Sequence, residues 1–177
     1  MNRFIFVFVI AAASSAAHAS YEVTPAGFMV RHEIVIQAAP ARVYESLTRD
    51  LAAWWDPRHT YSGDSRNLSL DLRPGGCFCE RLPDGGVEHM RVVQVKANDT
   101  LRLTGALGPL QASGLSGSMT WRVLPADNGS RIELTYVVGG YMPGGFEKMA
   151  PAVERVLGEQ VDRLKRYVET GAPAATK

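Results

Sequence analysis

The chain has 177 residues, with 19 basic and 18 acidic side chains and a formal net charge of +1, so it carries no electrostatic footprint for nucleic acid or an anionic membrane. Its two cysteines are too few to staple a scaffold, and the fold must rest on ordinary apolar burial. A chain of this length is expected to form one domain with a self-sufficient core.

The first residues read as an address. Arg3 gives a short positive region, Phe4 to Ala13 an apolar run, and Ala17-His18-Ala19 the small residues that signal peptidase reads. Residues 1–19 are therefore expected to be a cleavable secretory signal peptide, cut before Ser20. The run falls short of the roughly 20 apolar residues of a membrane span, and Ser14 and Ser15 end it without a stop-transfer charge cluster. The expected product is periplasmic or secreted, with no integral membrane association after cleavage. Residues 20–29 read as a lead-in, 30–170 as the single domain and 171–177 as a flexible tail.

Val30, His32, Ile34 and Ile36 alternate with polar neighbours, the mark of a half-buried strand. Pro40 then suits the first turn of a helix whose apolar stripe is Val43, Tyr44 and Leu47, and Trp54-Trp55-Asp56-Pro57 breaks it. Short strands follow at Leu68 to Leu72, Cys77 to Leu82, Val87 to Lys96, Leu101 to Gly105, Leu115 to Leu124 and Arg131 to Val138, separated by Gly, Pro, Asn and Asp turns. They predict an antiparallel meander. After Pro143-Gly144-Gly145, the residues Val153, Leu157, Val161, Leu164 and Val168 repeat at helical spacing from Pro151 until Gly171. A curved sheet must cover its apolar face, and this helix is the one long element able to do so. A helix gripped by a single sheet leaves room between the two, where a ligand can sit.

Ile34-Val35-Ile36, Ala39-Pro40-Ala41-Arg42-Val43-Tyr44, Leu47, Trp54-Trp55, Arg73-Pro74-Gly75-Gly76, Gly85-Gly86 and the terminal helix resemble the SRPBCC superfamily, with its START and birch-pollen-allergen-like helix-grip fold. Within it they resemble the homology family of the activator of heat-shock-protein ATPase. The resemblance spans about Val30 to Val168. It implies an α+β helix-grip fold, a curved antiparallel sheet of about seven strands around a long C-terminal helix, with one or two short helices after the first strand. It also implies binders of lipids or small molecules, polyketide cyclase-like enzymes, or co-chaperones, and the fold alone does not choose among them. An exported domain meets neither a cytosolic ATPase chaperone nor ATP, so that partner is not expected. No phosphate-cradling glycine motif occurs, and no cofactor is expected.

The hairpin from Cys77 to Lys96 holds the candidate chemistry. With Pro83 to Gly86 as its loop and Leu82 facing Val87, Glu80 falls opposite His89. Glu80 shares a face with Phe78 and Leu82, and His89 shares one with Val93 and Val95, so the pair is expected on the apolar side. Such a pair suits general acid/base work in a cyclase or hydratase; equally, the two can simply satisfy each other, or a one-residue slip can turn both outward.

Cys77 and Cys79 share the opposite face of their strand, about 6.5–7 Å apart if extended, at the limit of disulfide geometry. They stand open to three readings: inert small residues, a labile redox pair, or soft ligands for Cu(I) or zinc that Met90 alone could join directly. In the loop Asp56 to Asp64, His59 and Tyr61 are placed at the mouth of the expected cavity. Trp54, Trp55, Phe78, Met119, Trp121, Tyr136, Tyr141, Phe146 and Leu157 are the candidate lining residues for a small apolar or amphipathic ligand. Gly105 to Gly117, with little charge, reads as a lid over it, and His32 as a satisfied core histidine.

Overall fold

The computed structural model describes residues 18–174. All but the last two residues of the expected leader lie outside that range, as do 175–177. The first strand, β1 (His18–Thr24), runs antiparallel to β2 (Gly27–Ile36), with His18 opposite Glu33 and Thr24 opposite Gly27. A cut before Ser20 would leave Ser20–Thr24 of this strand in place. Helices α1 (Pro40–Arg49) and α2 (Leu51–Trp54) follow, then β3 (Leu68–Leu70), β4 (Cys77–Leu82), β5 (Gly85–Lys96), β6 (Thr100–Gly105), β7 (Leu115–Ala126), β8 (Gly129–Gly140) and the long helix α3 (Met149–Thr170).

The eight strands form one antiparallel sheet in the order β1-β2-β8-β7-β6-β5-β4-β3. The additional strand is β1, in a stretch read as a lead-in. Its side chains are exposed on both faces apart from half-buried Val23; Ala19, Tyr21 and Val23 do alternate with polar residues, but the short run straddles the end of the expected leader, and it is the ladder with β2 that holds the strand in place.

One face of the sheet is mostly apolar, with His32, Glu80 and His89 as buried exceptions. Val30, Ile34 and Ile36 of β2, Val92 of β5, Leu101 and Leu103 of β6, Met119, Trp121 and Val123 of β7, and Ile132, Leu134, Tyr136 and Val138 of β8 are all buried. Each such side chain contributes on the order of 1.5–3 kcal/mol by leaving water. Leu157, Val161 and Leu164 of α3 pack onto that face, and α3 ends where Gly171 adopts a left-handed φ of 78° and donates its N–H to the carbonyl of Tyr167. Pro151 sits inside the first turn of α3, where its missing N–H costs no helical bond.

His32 fixes how α3 lies. It is buried, its Nε2–H donates to the carbonyl of Glu154 at 2.9 Å, and its ring packs on Gly158, where an added Cβ would come within 2.9 Å of Cε1. Burial holds its imidazole below the ordinary histidine pKa, against the pull of Glu154 and Asp162.

The β4–β5 hairpin differs from the expected register. Its turn is only Pro83-Asp84, with Leu82 opposite Gly85 and Glu80 opposite Val87. The ladder then breaks between Phe78 and Cys79: Cys79 faces Glu88 while Phe78 faces Met90, leaving His89 as the extra residue of a β-bulge. Consequently His89 and Met90 are both buried on the inner face. With Met90 and Val92 inside, Val93 points outward and does not share the face of His89 as the alternation predicted, while a second break between Val92 and Gln94 returns half-buried Val95 to the inner side.

Candidate functional site

A cavity of about 330 Å³ opens between the sheet and the N-terminal half of α3. The sheet supplies Phe78 and His89; α3 supplies Met149, Ala152, Val153, Val156 and Leu157. Its rim is formed by Trp55, Arg58, His59, Thr60 and Tyr61 on one side and by Leu107 to Leu110 on the other. The second group opens the short 3-10 turn Gly108–Ser113, within the segment read as a lid, and the N–H of Leu107 is pinned by the hydroxyl of Tyr136 at 3.0 Å.

The loop after α2 is built by its own side chains and clamped by α3. Asp56 caps the 3-10 turn Pro57–His59 by accepting the N–H of Arg58, and the indole N–H of Trp55 donates to the carbonyl of His59 at 3.1 Å. The Asp56 N–H in turn donates to Oε1 of the fully buried Gln160 at 2.8 Å, and Nε of Arg163 donates to the carbonyl of Trp54 at 2.8 Å. Hydrogen bonds from the Arg58 side chain, against the opposing effect of burial, hold the Asp56 carboxyl down at about 2. His59 Nε2 stands 3.1 Å from Glu159 Oε2. Asp56, His59 and Glu159 bring their donor atoms together, but the Asp56 carboxylate is already met by Arg58 at 2.7 Å and Arg163 at 3.9 Å, which leaves little call for a further cation.

Glu80 and His89 meet at the cavity wall. Glu80, one per cent exposed, accepts the backbone N–H of Tyr61 on Oε2 at 3.0 Å and that of Ser62 on Oε1 at 2.5 Å. Nε2 of His89 stands 3.0 Å from the same Oε2. Burial is the largest single influence on Glu80 and opposes its charge, but the hydrogen bonds from Ser62, Tyr61 and His89 together outweigh it, and the carboxyl titrates below its ordinary range. His89 is also held low, by burial first, with Glu80 pulling the other way. At neutral pH the pair is therefore carboxylate and neutral imidazole. A carboxylate only accepts, so Nε2 carries the proton, and Nδ1 is left as an acceptor with no hydrogen-bond donor among the described residues. Tyr61 stacks on the ring at 5.9 Å and Phe78 tilts against it at 5.0 Å, with Trp55 edge-on to Phe78 at 5.5 Å.

Of the residues singled out in the sequence, Trp55, His59, Tyr61, Phe78, His89 and Leu157 line this cavity. Others lie elsewhere. Trp54, Met119 and Trp121 meet around a much smaller void of about 20 Å³, and Trp54 spends its indole N–H on the carbonyl of Ser46. Tyr136 is fully buried behind the lid, its hydroxyl pushed up to about 12 by burial; Phe146 packs on Phe28. Tyr141 is 75% exposed. Alternation identifies the inner face of a strand, but how near α3 lies decides which part of that face is wall and which is core. Val153 was legible only as helix periodicity, Pro109 and Leu110 only as an uncharged loop, and Val156 was not singled out, since it lies off the stripe that Val153, Leu157 and Val161 define.

Cys77 and Cys79 are joined by a disulfide, their Cα atoms 5.3 Å apart. Met90 is not beside them; it is one per cent exposed on the inner face, opposite Phe78, because the bulge brings it round with His89. Glu88 approaches the sulfurs instead.

A curved antiparallel sheet gripping one long helix, with an apolar cavity held between them, is the architecture of the SRPBCC helix-grip superfamily. The chain belongs to the family of polyketide cyclases/dehydrases and lipid transport proteins, whose model matches residues 28–169. No curated protein matches it. Among solved structures, it is similar to a conserved protein of unknown function from Enterococcus faecalis, with a TM-score of 0.63 and 17% identity over 90% of this chain and 82% of that one. An uncharacterised protein from Rhizobium leguminosarum matches with a TM-score of 0.62 and 16% identity, over 88% of this chain and 99% of that one. The Aha1 dimer from Colwellia psychrerythraea follows at 0.55 and 19%, over 81% of this chain and 97% of its own. At such identities the likeness is one of fold.

Proposed function

We propose that the protein holds a small apolar or amphipathic molecule between the sheet and α3, and that it does so outside the cytoplasm. The observation that carries this reading is the cavity itself. Its wall is almost wholly hydrocarbon and aromatic, with His89 as the polar residue that the sheet contributes, so burial supplies affinity and a hydrogen bond to the Nδ1 of His89 would supply orientation. The family's lipid-transport description agrees with it. An exported destination rests on the leader pattern of residues 1–19.

Native mass spectrometry of protein purified from its own envelope fraction tests both parts. A polypeptide mass beginning at Ser20 with a retained organic molecule is the expected result. An empty protein that also fails to take up the neutral apolar probe N-phenyl-1-naphthylamine would overturn the binding reading.

A second reading is favoured by the buried Glu80–His89 pair. Nδ1 of a neutral imidazole can take a proton from a bound substrate, and the Glu80 carboxylate then stabilises the imidazolium across Nε2–H, the arrangement that a cyclase or hydratase needs. Turnover of a retained molecule that is lost in H89Q, with binding kept, would establish it. Soft-metal handling has less support, since sulfurs bonded to each other offer no thiolate.

A further inference from the structure

The disulfide and the cavity are on opposite faces of one strand, and the bulge at His89 connects them. Residues two apart on an extended strand lie about 6.5–7 Å apart; Cys77 and Cys79 are at 5.3 Å, so the bond draws β4 in. The facing stretch of β5 is lengthened at the same place. Cys77 pairs with Arg91 and Cys79 with Glu88, so β5 spans with four residues what β4 spans with three, and the surplus residue is His89.

The bulge is gripped on its other side as well. Nε2 of Gln111 donates to the carbonyl of Glu88 at 2.5 Å and to that of His89 at 3.3 Å, and Gln111 belongs to the same short turn as Leu110 at the cavity rim. At the end of β6, Gly105 takes a φ of +132°, where a Cβ would come within 3.3 Å of the His89 carbonyl.

We propose that the Cys77–Cys79 disulfide is a redox-sensitive staple that sets the His89 bulge, and through it the polar contact and the rim of the cavity. Both cysteines are half-buried and sit on the outer face, so a dithiol reductant reaches them without entering the cavity. One thiolate of the dithiol attacks a cysteine sulfur and the S–S bond breaks; the other cysteine leaves as the thiolate and takes a proton. The second thiol of the dithiol then resolves the mixed disulfide. The protein gains two electrons and two protons, and the dithiol departs as its own disulfide. With the staple open, β4 regains its extended length, and the regular ladder continued from the Cys77–Arg91 pair competes with the bulge and places His89 opposite Cys79, on the face away from Glu80. An oxidising compartment keeps the staple closed.

The effect on His89 needs no ligand, whereas the effect on ligand retention rests on the binding reading. The purified protein is therefore compared before and after treatment with dithiothreitol by two measurements: the imidazole NMR resonances of His89, and the affinity for N-phenyl-1-naphthylamine. Reduction is expected to move the His89 resonances and to change the probe Kd by roughly threefold to tenfold, the worth of one hydrogen bond. Cys77→Ser/Cys79→Ser is expected to match the reduced protein and to ignore dithiothreitol, and the reduced wild type gives the same comparison should that variant not fold. Unmoved His89 resonances together with an unchanged Kd would overturn the proposal, as would finding both cysteines alkylated in protein isolated without reductant. Should the resonances move while the probe binds neither form, the redox coupling stands and the binding reading falls.

Discussion

His89 Nε2 lies 3.0 Å from Glu80 Oε2 although the two residues are not partners in the β4–β5 ladder, where Glu80 faces Val87. The bulge at His89 closes that gap. A single shift of two residues from the expected register leaves Glu80 on the inner face, alternation from Val87 puts His89 on that face too, and the surplus residue on β5 bends the strand there and brings Met90 in beside it.

Substituting Glu80→Gln tests the electrostatics of the pair. An amide offers one acceptor oxygen where the carboxylate offers two, so Tyr61 N–H and Ser62 N–H cannot both be satisfied. A loss of about 1–3 kcal/mol is expected in urea denaturation. Because Glu80 pulls the His89 pKa upward against burial, E80Q should move the His89 midpoint further down in an NMR titration. A rise would contradict the assignment of the proton to Nε2.

Stability should fall on mild acidification. His32 and His89 are both held below the ordinary histidine value, by burial first. The unfolded chain takes up protons near pH 6.5 while the folded chain resists them until lower pH, so the stability is whole above about 6.5 and lost as pH falls below it. Asp56, depressed to about 2, adds a further loss as pH drops below the ordinary carboxylate range. Thermal melts at about pH 7.5 and 5.5 should show the first decline, and H89Q should lessen it. A Tm that does not change between the two would refute burial of two neutral imidazoles.

Gly158→Ala sets two effects against each other. Alanine raises helix propensity by about 1 kcal/mol over glycine, yet its methyl would meet the His32 ring at 2.9 Å. That ring is fixed by its bond to the Glu154 carbonyl, so relief requires breaking the bond or shifting α3, at about 1–3 kcal/mol. Net destabilisation is expected, and chemical denaturation of the pair G158A and G158A/H32A should show it vanish when the ring is gone.

Val156→Phe places added volume in the cavity from the face of α3, and should weaken N-phenyl-1-naphthylamine binding by about tenfold or more, the worth of one well-placed apolar contact. Tyr141→Ala, at a side chain 75% exposed, should leave it unchanged. Equal effects of the two substitutions would place the probe elsewhere on the molecule.

Gln160→Leu removes the acceptor of a buried N–H. Asp56 N–H has Gln160 Oε1 as its partner at 2.8 Å, and losing it should cost about 1–3 kcal/mol. The damage should also loosen the Trp55–Tyr61 rim, read as faster amide exchange at residues 56–61 than in the rest of the domain.

Alternation and helical spacing in the sequence by themselves determined the strands from β2 to β8, the helix α3 and the apolar inner face, because side-chain direction follows directly from period in both structures. They also put Glu80 inside and made His89 its partner. The bulge that brings them together, the exclusion of Trp121, Tyr136 and Phe146 from the cavity, and the exposed β1 strand were decided by the tertiary structure. A bulge depends on a mismatch in length between two strands, a cavity on how far α3 stands from the sheet, and an exposed edge strand on backbone bonds to its neighbour rather than on burial of its side chains. The same holds for Cys77 and Cys79: their spacing set a bond at the edge of feasibility, and only the tertiary structure shows them 5.3 Å apart and bonded, on a β4 that is drawn in opposite the bulged β5.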